Sequence, residues 1–454
     1  MRVPAVESFN HVSYLWDEKQ AAEISGDEVA LLIYRSNLLG ADLRLTNYGG
    51  GNTSCKTTEK DPLTGDPVNV MWVKGSGGDL GTLTKKGLAA LYMDRMLGLK
   101  KIYRGREFED EMVQLYDYCI FDLDSKAPSI DTPLHAFLPF RHIDHLHPDA
   151  IISIAAAKDG RRITDELFKG NIGWLDWQRP GFDLGLKLRE CLDKNPGIRG
   201  IILGSHGLFT WGDTSYESYL NTLRVIETAA SFLAGQYGRK KPVFGGNKIA
   251  AQPRADRVHK SAALAPVLRG LCSSGQSMIG HFTDDPRVLE FINSADCNRL
   301  AAMGTSCPDH FLRTKIAPLV IDLAPQDDLH EARALLEPGF MAYRQMYEQY
   351  YNACRRPTSP AMRDPNPVVI LWPGIGMFTF AKDKATARVA AEFYINAINV
   401  MKGAEAISDY TSLARQEAFD IEYWLLEEAK LQRLPKPRPL SGRIAMITGS
   451  GGGI

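Results

Sequence analysis

The sequence argues first against disulfide and metal-thiolate frameworks. Its seven cysteines, Cys55, Cys119, Cys191, Cys272, Cys297, Cys307 and Cys354, are odd in number and scattered, and no two form a CxxC pair. Neither a disulfide scaffold nor a cysteine zinc site is expected from that spacing, whereas a reduced, cytoplasmic compartment is. No apolar stretch is long enough to span a bilayer, so no membrane association is expected. Residues Met1 to Asn10 lack a basic start followed by an apolar run, which argues against a secretory signal. Excess charge is also missing. The formal net charge is −1 and no run of Lys or Arg stands out, so no nucleic-acid partner is expected.

What the sequence does contain is 454 residues with an ordinary 44% hydrophobic content, enough for two or three globular domains. Residues 17 to 40 read as helix, followed by a Gly-rich loop at Gly49-Gly50-Gly51-Asn52. Val68 to Val73 reads as a strand ending in Lys74-Gly75-Ser76-Gly77-Gly78, and Ala150 to Ala155 as a second, apolar strand. Gly200 to Leu203 is a further strand, running into Ser205-His206-Gly207. Thr214-Ser215-Tyr216-Glu217 fits a capping box, and the apolar residues after it recur at helical spacing up to about Gly235. The Gly-, Pro- and Lys-rich stretch 238 to 253 suggests a domain boundary. The expected organisation is therefore α/β, with domains over 1–245 and 246–434 and a terminal segment over 435–454. A helix is expected over 420 to 428, then an extended linker from the alternating prolines Pro435, Pro437 and Pro439.

After that linker, Gly442-Arg443-Ile444-Ala445-Met446-Ile447 reads as a short strand entering a Gly-rich turn. Such a turn lets the backbone approach a pyrophosphate. Thr448-Gly449-x-x-x-Gly453-Ile454 resembles the opening fingerprint of short-chain dehydrogenases. The expectation is a dinucleotide-binding domain truncated after its first strand and turn. Gly449 and Gly453 are then an incomplete cofactor motif, with NAD bound only by a longer protein and no redox activity in this chain.

The densest chemical signal is Asp131-Thr-Pro-Leu-His135 followed by His145-Leu146-His147. Residues two apart on a strand point to the same side, so His145 and His147 can grip one metal ion. His206, at a strand end, is the best third ligand, with His135 and His142 as competitors. Three protein ligands leave the open position that a catalytic zinc requires.

These residues resemble those of the class II aldolase/adducin family, over roughly residues 25 to 240. The family combines a Gly-Asn loop, a small-residue turn, an acidic residue four before a histidine, an HxH-Pro element and a later His-Gly. Here they are Gly51-Asn52, Gly75-Ser76-Gly77, Asp131 with His135, His145-Leu146-His147-Pro148 and His206-Gly207, in the family's order. The resemblance implies an α/β/α layered sheet domain, with a second α/β region after it. It implies Zn2+, or another divalent metal, on His145, His147 and His206. It further implies a substrate phosphate held by Gly51, Asn52, Ser76, Gly77 and Ser129, and Asp131 as general acid/base. Two features depart from the family pattern: Asp131 stands where Glu is usual, and the segment between His135 and His145 is short.

The implied chemistry is reversible aldol cleavage of a ketose 1-phosphate to dihydroxyacetone phosphate and an aldehyde. Zinc would act as a Lewis acid on the substrate oxygens. The pairing with a dehydrogenase start resembles fusions of rhamnulose-1-phosphate aldolase with an alcohol dehydrogenase, where the aldehyde would be lactaldehyde. The alternatives are a sugar-phosphate epimerase or dehydratase, and a non-catalytic adducin-like interaction module. The family habit implies a homo-oligomer, such as a tetramer. A last expectation is an internal repeat. Ile202 to Trp211 and Leu371 to Phe380 share a turn in which Gly207, Phe209 and Thr210 match Gly376, Phe378 and Thr379, while His206 meets Ile375. Ser306-Cys307-Pro308-Asp309-His310 would be the remnant of the acid-and-histidine element in that second copy.

Overall fold

The computed structural model describes residues 8–239, 241–324, 331–425, 439–446 and 448. Gly449, Gly453 and most of the proline linker lie outside the described residues. The chain divides into two compact units. The first comprises Met1–Val243 with Asn399–Ser412, and the second Phe244–Ile398 with Leu413–Ile454.

In the first unit, helices α1 (Glu18–Glu23) and α2 (Glu28–Gly40) lead into strands β1 (Asn52–Lys60), β2 (Pro67–Lys74) and β3 (Leu88–Tyr92). Helices α3 (Met93–Gly98), α4 (Glu109–Leu115) and α5 (Thr132–Phe137) precede β4 (His142–Leu146). Next come α6 (Asp149–Ala155), α7 (Gly160–Phe168), β5 (Ile172–Leu175), α8 (Phe182–Lys194), β6 (Gly200–Leu203), β7 (Gly207–Gly212) and α9 (Ser215–Ala234). The strands form one sheet in the order β3-β2-β1-β4-β7-β6-β5. Every neighbouring pair is antiparallel except β5 with β6.

Two local readings of the sequence are corrected here. The single helix over 17 to 40 is two helices, because Asp17 and Asp27 each cap a new start by accepting from the backbone N–H groups two and three residues on. Ala150 to Ala155 is not a strand but most of α6, entirely buried beyond Ala150. A short apolar run fits either structure, and Pro148 at the N-cap with Asp149 in the first turn favours helix. The capping at Thr214 forms as expected, with its hydroxyl accepting from Glu217 N at 3.1 Å. The return bond from Glu217 goes to Asp213 N (2.9 Å), one residue before the cap.

Helices cover both faces of the first sheet. One face, carrying Ile143, Ile201, Leu203, Phe209 and Trp211, packs on Leu134 and Leu138 beside α5 and on Leu184, Leu188 and Leu192 of α8. The other carries Asp144, which is bonded to Arg35 of α2 and to Ser218 and Thr222 of α9. Residues 399–412 also bond within this unit: Asn399 donates to Asp149 (2.7 Å) and Thr411 N to the Ala156 carbonyl (2.8 Å). Sequence proximity gave no sign of that return.

The second unit contains α10 (Arg254–Cys272), β8 (Ile279–Thr283), α11 (Pro286–Ile292), α12 (Cys297–Met303), α13 (Pro308–Thr314), β9 (Leu319–Val320) and α14 (Ala332–Cys354). It continues with β10 (Val369–Trp372), β11 (Gly376–Ala381), α15 (Lys384–Ile407), whose last turns count with the first unit, and α16 (Arg415–Glu422). Its sheet has the order β8-β11-β10-β9. That repeats the order β4-β7-β6-β5, and the senses agree pair by pair: antiparallel, antiparallel, then parallel. The register aligns too. Phe209 faces His145, and Phe378 faces Phe282. Ser306 to His310 does not occupy the place of the acid-and-histidine element, since α13 follows α12 rather than preceding β8. The helix expected over 420 to 428 already starts at Arg415 and breaks at Tyr423, and residues 426–428 lie outside the described residues. Arg443 to Met446 form no strand; among the described residues none pairs with them, and Ile444 and Met446 are exposed.

Candidate metal centre

Strand parity sorts the histidines. On β4, His145 lies on the face of Ile143, and His147 follows two residues later on that side. His142 lies on the opposite face, where its Nδ1 meets Arg35 Nη1 at 3.0 Å and its Nε2 lies 3.3 Å from Glu28. Burial and the charge of Arg35 push its pKa down to about 2. It is a neutral packing residue, which removes it as a competitor for metal.

The tight turn between β6 and β7 carries His206 to the other two. The ring centroids of His145 and His147 are 4.7 Å apart, those of His145 and His206 5.0 Å, and those of His147 and His206 5.1 Å. One nitrogen from each ring lies within 4.8 Å of the others. His145 Nε2 and His147 Nε2 are 3.0 Å apart. Two ligands of one tetrahedral zinc with ordinary bond lengths would sit about 3.3 Å apart.

The environment of His145 supplies a ligand's protonation state. Its Nδ1 lies 3.0 Å from the Leu208 carbonyl, so Nδ1 carries the proton and Nε2 keeps its lone pair toward the other rings. Burial, then the nearby His147 and His206, hold its pKa well below the ordinary histidine range. Phe209 stacks on its ring at 4.1 Å and fixes the ring plane.

Two glycines make this approach of backbones feasible. A Cβ at Gly207 would meet the Leu146 carbonyl at 2.5 Å and His147 Cδ2 at 2.7 Å. Gly51 has φ +68°, and a Cβ there would meet the His145 carbonyl at 2.7 Å. Both sit where a side chain would push the histidine strand away.

Asn52 opens β1 as the cross-strand partner of His145. Its Nδ2 donates to Asp131 Oδ2 at 2.8 Å, and its Oδ1 accepts from His135 Nε2 at 2.5 Å. The other nitrogen of His135 meets Ser54 Oγ at 2.8 Å. Burial, then Lys56, pushes the pKa of His135 down to about 3. His135 is therefore a neutral donor that orients Asn52, a role sequence reasoning missed although the residue stood beside Asp131. Asp131 occupies the N-cap of α5 yet makes no side-chain cap bond. Its carboxylate is turned to Asn52, next to His145.

The residues expected around a phosphate come from adjoining loops. Ser76 N donates to the Ala127 carbonyl at 3.0 Å, joining the turn after β2 to the segment before Ser129. Ser129 N donates to Thr132 Oγ1 at 3.1 Å, next to Asp131. Gly77 has φ +74°. Gly49 N lies 3.4 Å from Asp79 Oδ1, linking the Gly51 loop to the same turn. Asn52 spends one amide hydrogen and its carbonyl on Asp131 and His135, leaving one hydrogen for a ligand.

Sequence reasoning also missed the support behind the site. Arg35 and Asp144 form a fully buried ion pair at 2.8 Å. Arg35 also donates to Ser215 Oγ and the Ser54 carbonyl (both 2.9 Å), and Asp144 accepts from Ser218 (2.7 Å) and Thr222 (3.1 Å). The network ties β1, β4, α2 and α9 together directly behind His145. A lone Arg in a helix and a lone Asp between histidines carry no sequence signal of such a pairing.

Three histidines thus converge on an α/β/α sheet, with the Asp131 carboxylate bonded to the cross-strand partner of one of them. Two family models match the chain: the class II aldolase and adducin N-terminal domain over residues 31–233, and the aldolase class II second domain over residues 259–431. The chain belongs to the class II aldolase and adducin family. It is 39% identical over 444 residues to YuxG of Bacillus subtilis (strain 168), an uncharacterized oxidoreductase. That match covers 98% of this chain and 64% of the relative, so the chain spans about two thirds of the relative's length. Among solved structures, the N-terminal class II aldolase domain of a conserved protein from Thermoplasma acidophilum is 34% identical, covering 50% of this chain and all of that one, with a TM-score of 0.43. A sugar-phosphate aldolase from Thermotoga maritima is 15% identical, covering 46% and 95%, with a TM-score of 0.35. Among the described residues, no helix is long and apolar enough to cross a membrane.

Proposed function

We propose that the chain is a metal-dependent lyase that reversibly cleaves a ketose 1-phosphate, with rhamnulose 1-phosphate as substrate and dihydroxyacetone phosphate and lactaldehyde as products. The observation that carries this reading is the convergence of His145, His147 and His206 beside an Asp131 carboxylate hung on Asn52. Zinc, or another divalent ion, fits three converging imidazoles, of which His145 has its tautomer fixed from behind. When bound, it supplies Lewis-acid polarisation of the substrate's carbonyl and hydroxyl oxygens. Asp131 delivers a proton to the carbon that keeps the electron pair when the C–C bond breaks, and removes it in the reverse direction. Asn52 and His135 hold the carboxylate in place. Gly51, Asn52, Ser76, Gly77 and Ser129 surround the phosphate, with the Gly51 and Gly77 N–H groups, the remaining Asn52 amide hydrogen and the Ser76 and Ser129 hydroxyls as donors.

The name of the Bacillus relative, an uncharacterized oxidoreductase that is longer than this chain, supports a redox activity accompanying the cleavage in proteins of that length. An adducin-like scaffold has no need of three converging imidazoles. The second sheet reads as a copy without the centre. Its register sets Phe282, Asp284 and Ile375 at the places of His145, His147 and His206. We also assign the active form as a homo-oligomer.

Product analysis with rhamnulose 1-phosphate tests the reading. Stoichiometric dihydroxyacetone phosphate and lactaldehyde are expected. A stereoisomeric or dehydrated sugar phosphate instead would reassign the site to epimerisation or dehydration, and an unchanged substrate would remove this sugar.

A further inference from the structure

A pocket lies in the first unit, on the same side of β1 as the candidate metal centre. Along that side Asn52 bonds Asp131, Ser54 bonds His135, and Lys56 donates to the Leu138 and Phe140 carbonyls, the latter at 2.9 Å. Helix α5 therefore stands between the two places: Asp131 precedes it, and Leu138 follows it. The pocket holds about 430 Å³, within the range of small-ligand sites.

Its lining is unusual in charge. Lys56, Lys100, Arg141 and Arg189 face it, and no carboxylate is among the lining residues. Arg141 is paired with Glu28 at 2.9 Å and Arg189 with Asp193 at 2.9 Å, both outside the lining. Lys100 lies over the Phe137 ring, 4.2 Å from its centre, and among the described residues forms no ion pair. The cations also feel one another. Burial, then the Arg189 charge, pushes Lys56 down to about 7, and the same two causes in the same order lower Lys100. Met93, Leu97 and Phe137 add apolar surface to the same lining. Positive charges gathered in a recess repel one another, and an anion in the recess relieves that cost. The apolar surface would meanwhile take an uncharged body.

We propose that this pocket binds a small organic anion, a charged phosphate or carboxylate head on an apolar body, at a site separate from the metal centre. The head lies among Lys56, Lys100 and Arg189, and the body against Met93, Leu97 and Phe137. The metal-centre residues play no part in holding it.

Titration calorimetry of the full chain with phenyl phosphate tests this, with inorganic phosphate and phenol as the head-only and body-only probes. Saturable binding of phenyl phosphate is expected, tighter than that of either fragment. Lys100→Glu and Arg189→Glu should each weaken it about tenfold or more, and Asn52→Ala at the metal centre should leave it unchanged. Lys100 is exposed and Arg189 half-buried, so these variants should fold, as a thermal melt would check. Leu97→Trp, which fills the pocket without changing charge, should also weaken binding. The proposal is overturned by absent binding, by binding that survives all three pocket variants, or by binding lost in Asn52→Ala alone. Equal affinity for either fragment would overturn the two-part ligand.

Discussion

Asn52 and His145 sit opposite each other on β1 and β4, and that single register joins two halves of the candidate site. From Asn52 hang Asp131 and His135, and from His145 the convergence with His147 and His206. A shift of one residue between these strands would send Asn52, with Asp131 and His135, to the opposite face of the sheet from His145.

Metal content should be one ion per chain, because the second sheet carries Phe282, Asp284 and Ile375 where the first carries histidines. Elemental analysis of purified wild type should give that ratio, and His206→Ala should bring it close to zero. Chelator-treated wild type should lose cleavage and regain it with zinc. A ratio of two would reveal a further centre.

Asp131→Asn keeps the size of the side chain and its contact with Asn52 but removes the proton carrier. The variant should retain metal and lose roughly 10²–10⁴-fold in kcat, the usual worth of general acid/base catalysis. Near-normal turnover with full metal would give Asp131 a purely structural role.

Truncating Asp144 should damage the fold far more than an exposed acid would. Asp144→Ala leaves the Arg35 guanidinium buried without its counter-charge, at a cost of about 3–5 kcal/mol. Urea unfolding measures it directly. A loss below about 1 kcal/mol would mean that the interior readily solvates Arg35.

The buried His142 makes stability depend on acid. Unfolded, it takes up a proton near the ordinary histidine value, whereas folded it stays neutral down to about 2. Between those limits the unfolded chain binds more protons, so stability falls as pH drops below about 6.5, by about 1.4 kcal/mol per unit for this one group. In chelator-treated protein, His142→Asn should be less stable at neutral pH and show a shallower decline between pH 6.5 and 5. An unchanged slope would place the proton uptake elsewhere.

Much of the site was legible in the chain itself. The HxH spacing on a strand sets His145 and His147 on one side by period alone, and Gly200 to Leu203 reads as a buried strand because four apolar or small residues end at a turn. Local chemistry likewise foretold the cap at Thr214. The short apolar run Ala150 to Ala155 was misread, since its composition suits helix and strand alike and Pro148 decided between them. The break between α1 and α2 was missed because the apolar spacing runs on through it, while Asp27 restarts the backbone hydrogen bonds.

Tertiary structure alone decided the rest. Which of the four histidines between 135 and 147 face His206 depends on strand pairing and on the distant turn that carries it. In sequence His135 competes with His206 for the third position, and packing settles it by spending both nitrogens of His135 on Asn52 and Ser54. The Arg35–Asp144 pair spans 109 residues, and the return of residues 399–412 to the first unit spans more. Such contacts have no local periodicity to announce them. They are fixed by the need to partner every buried charge and donor once the sheet has closed.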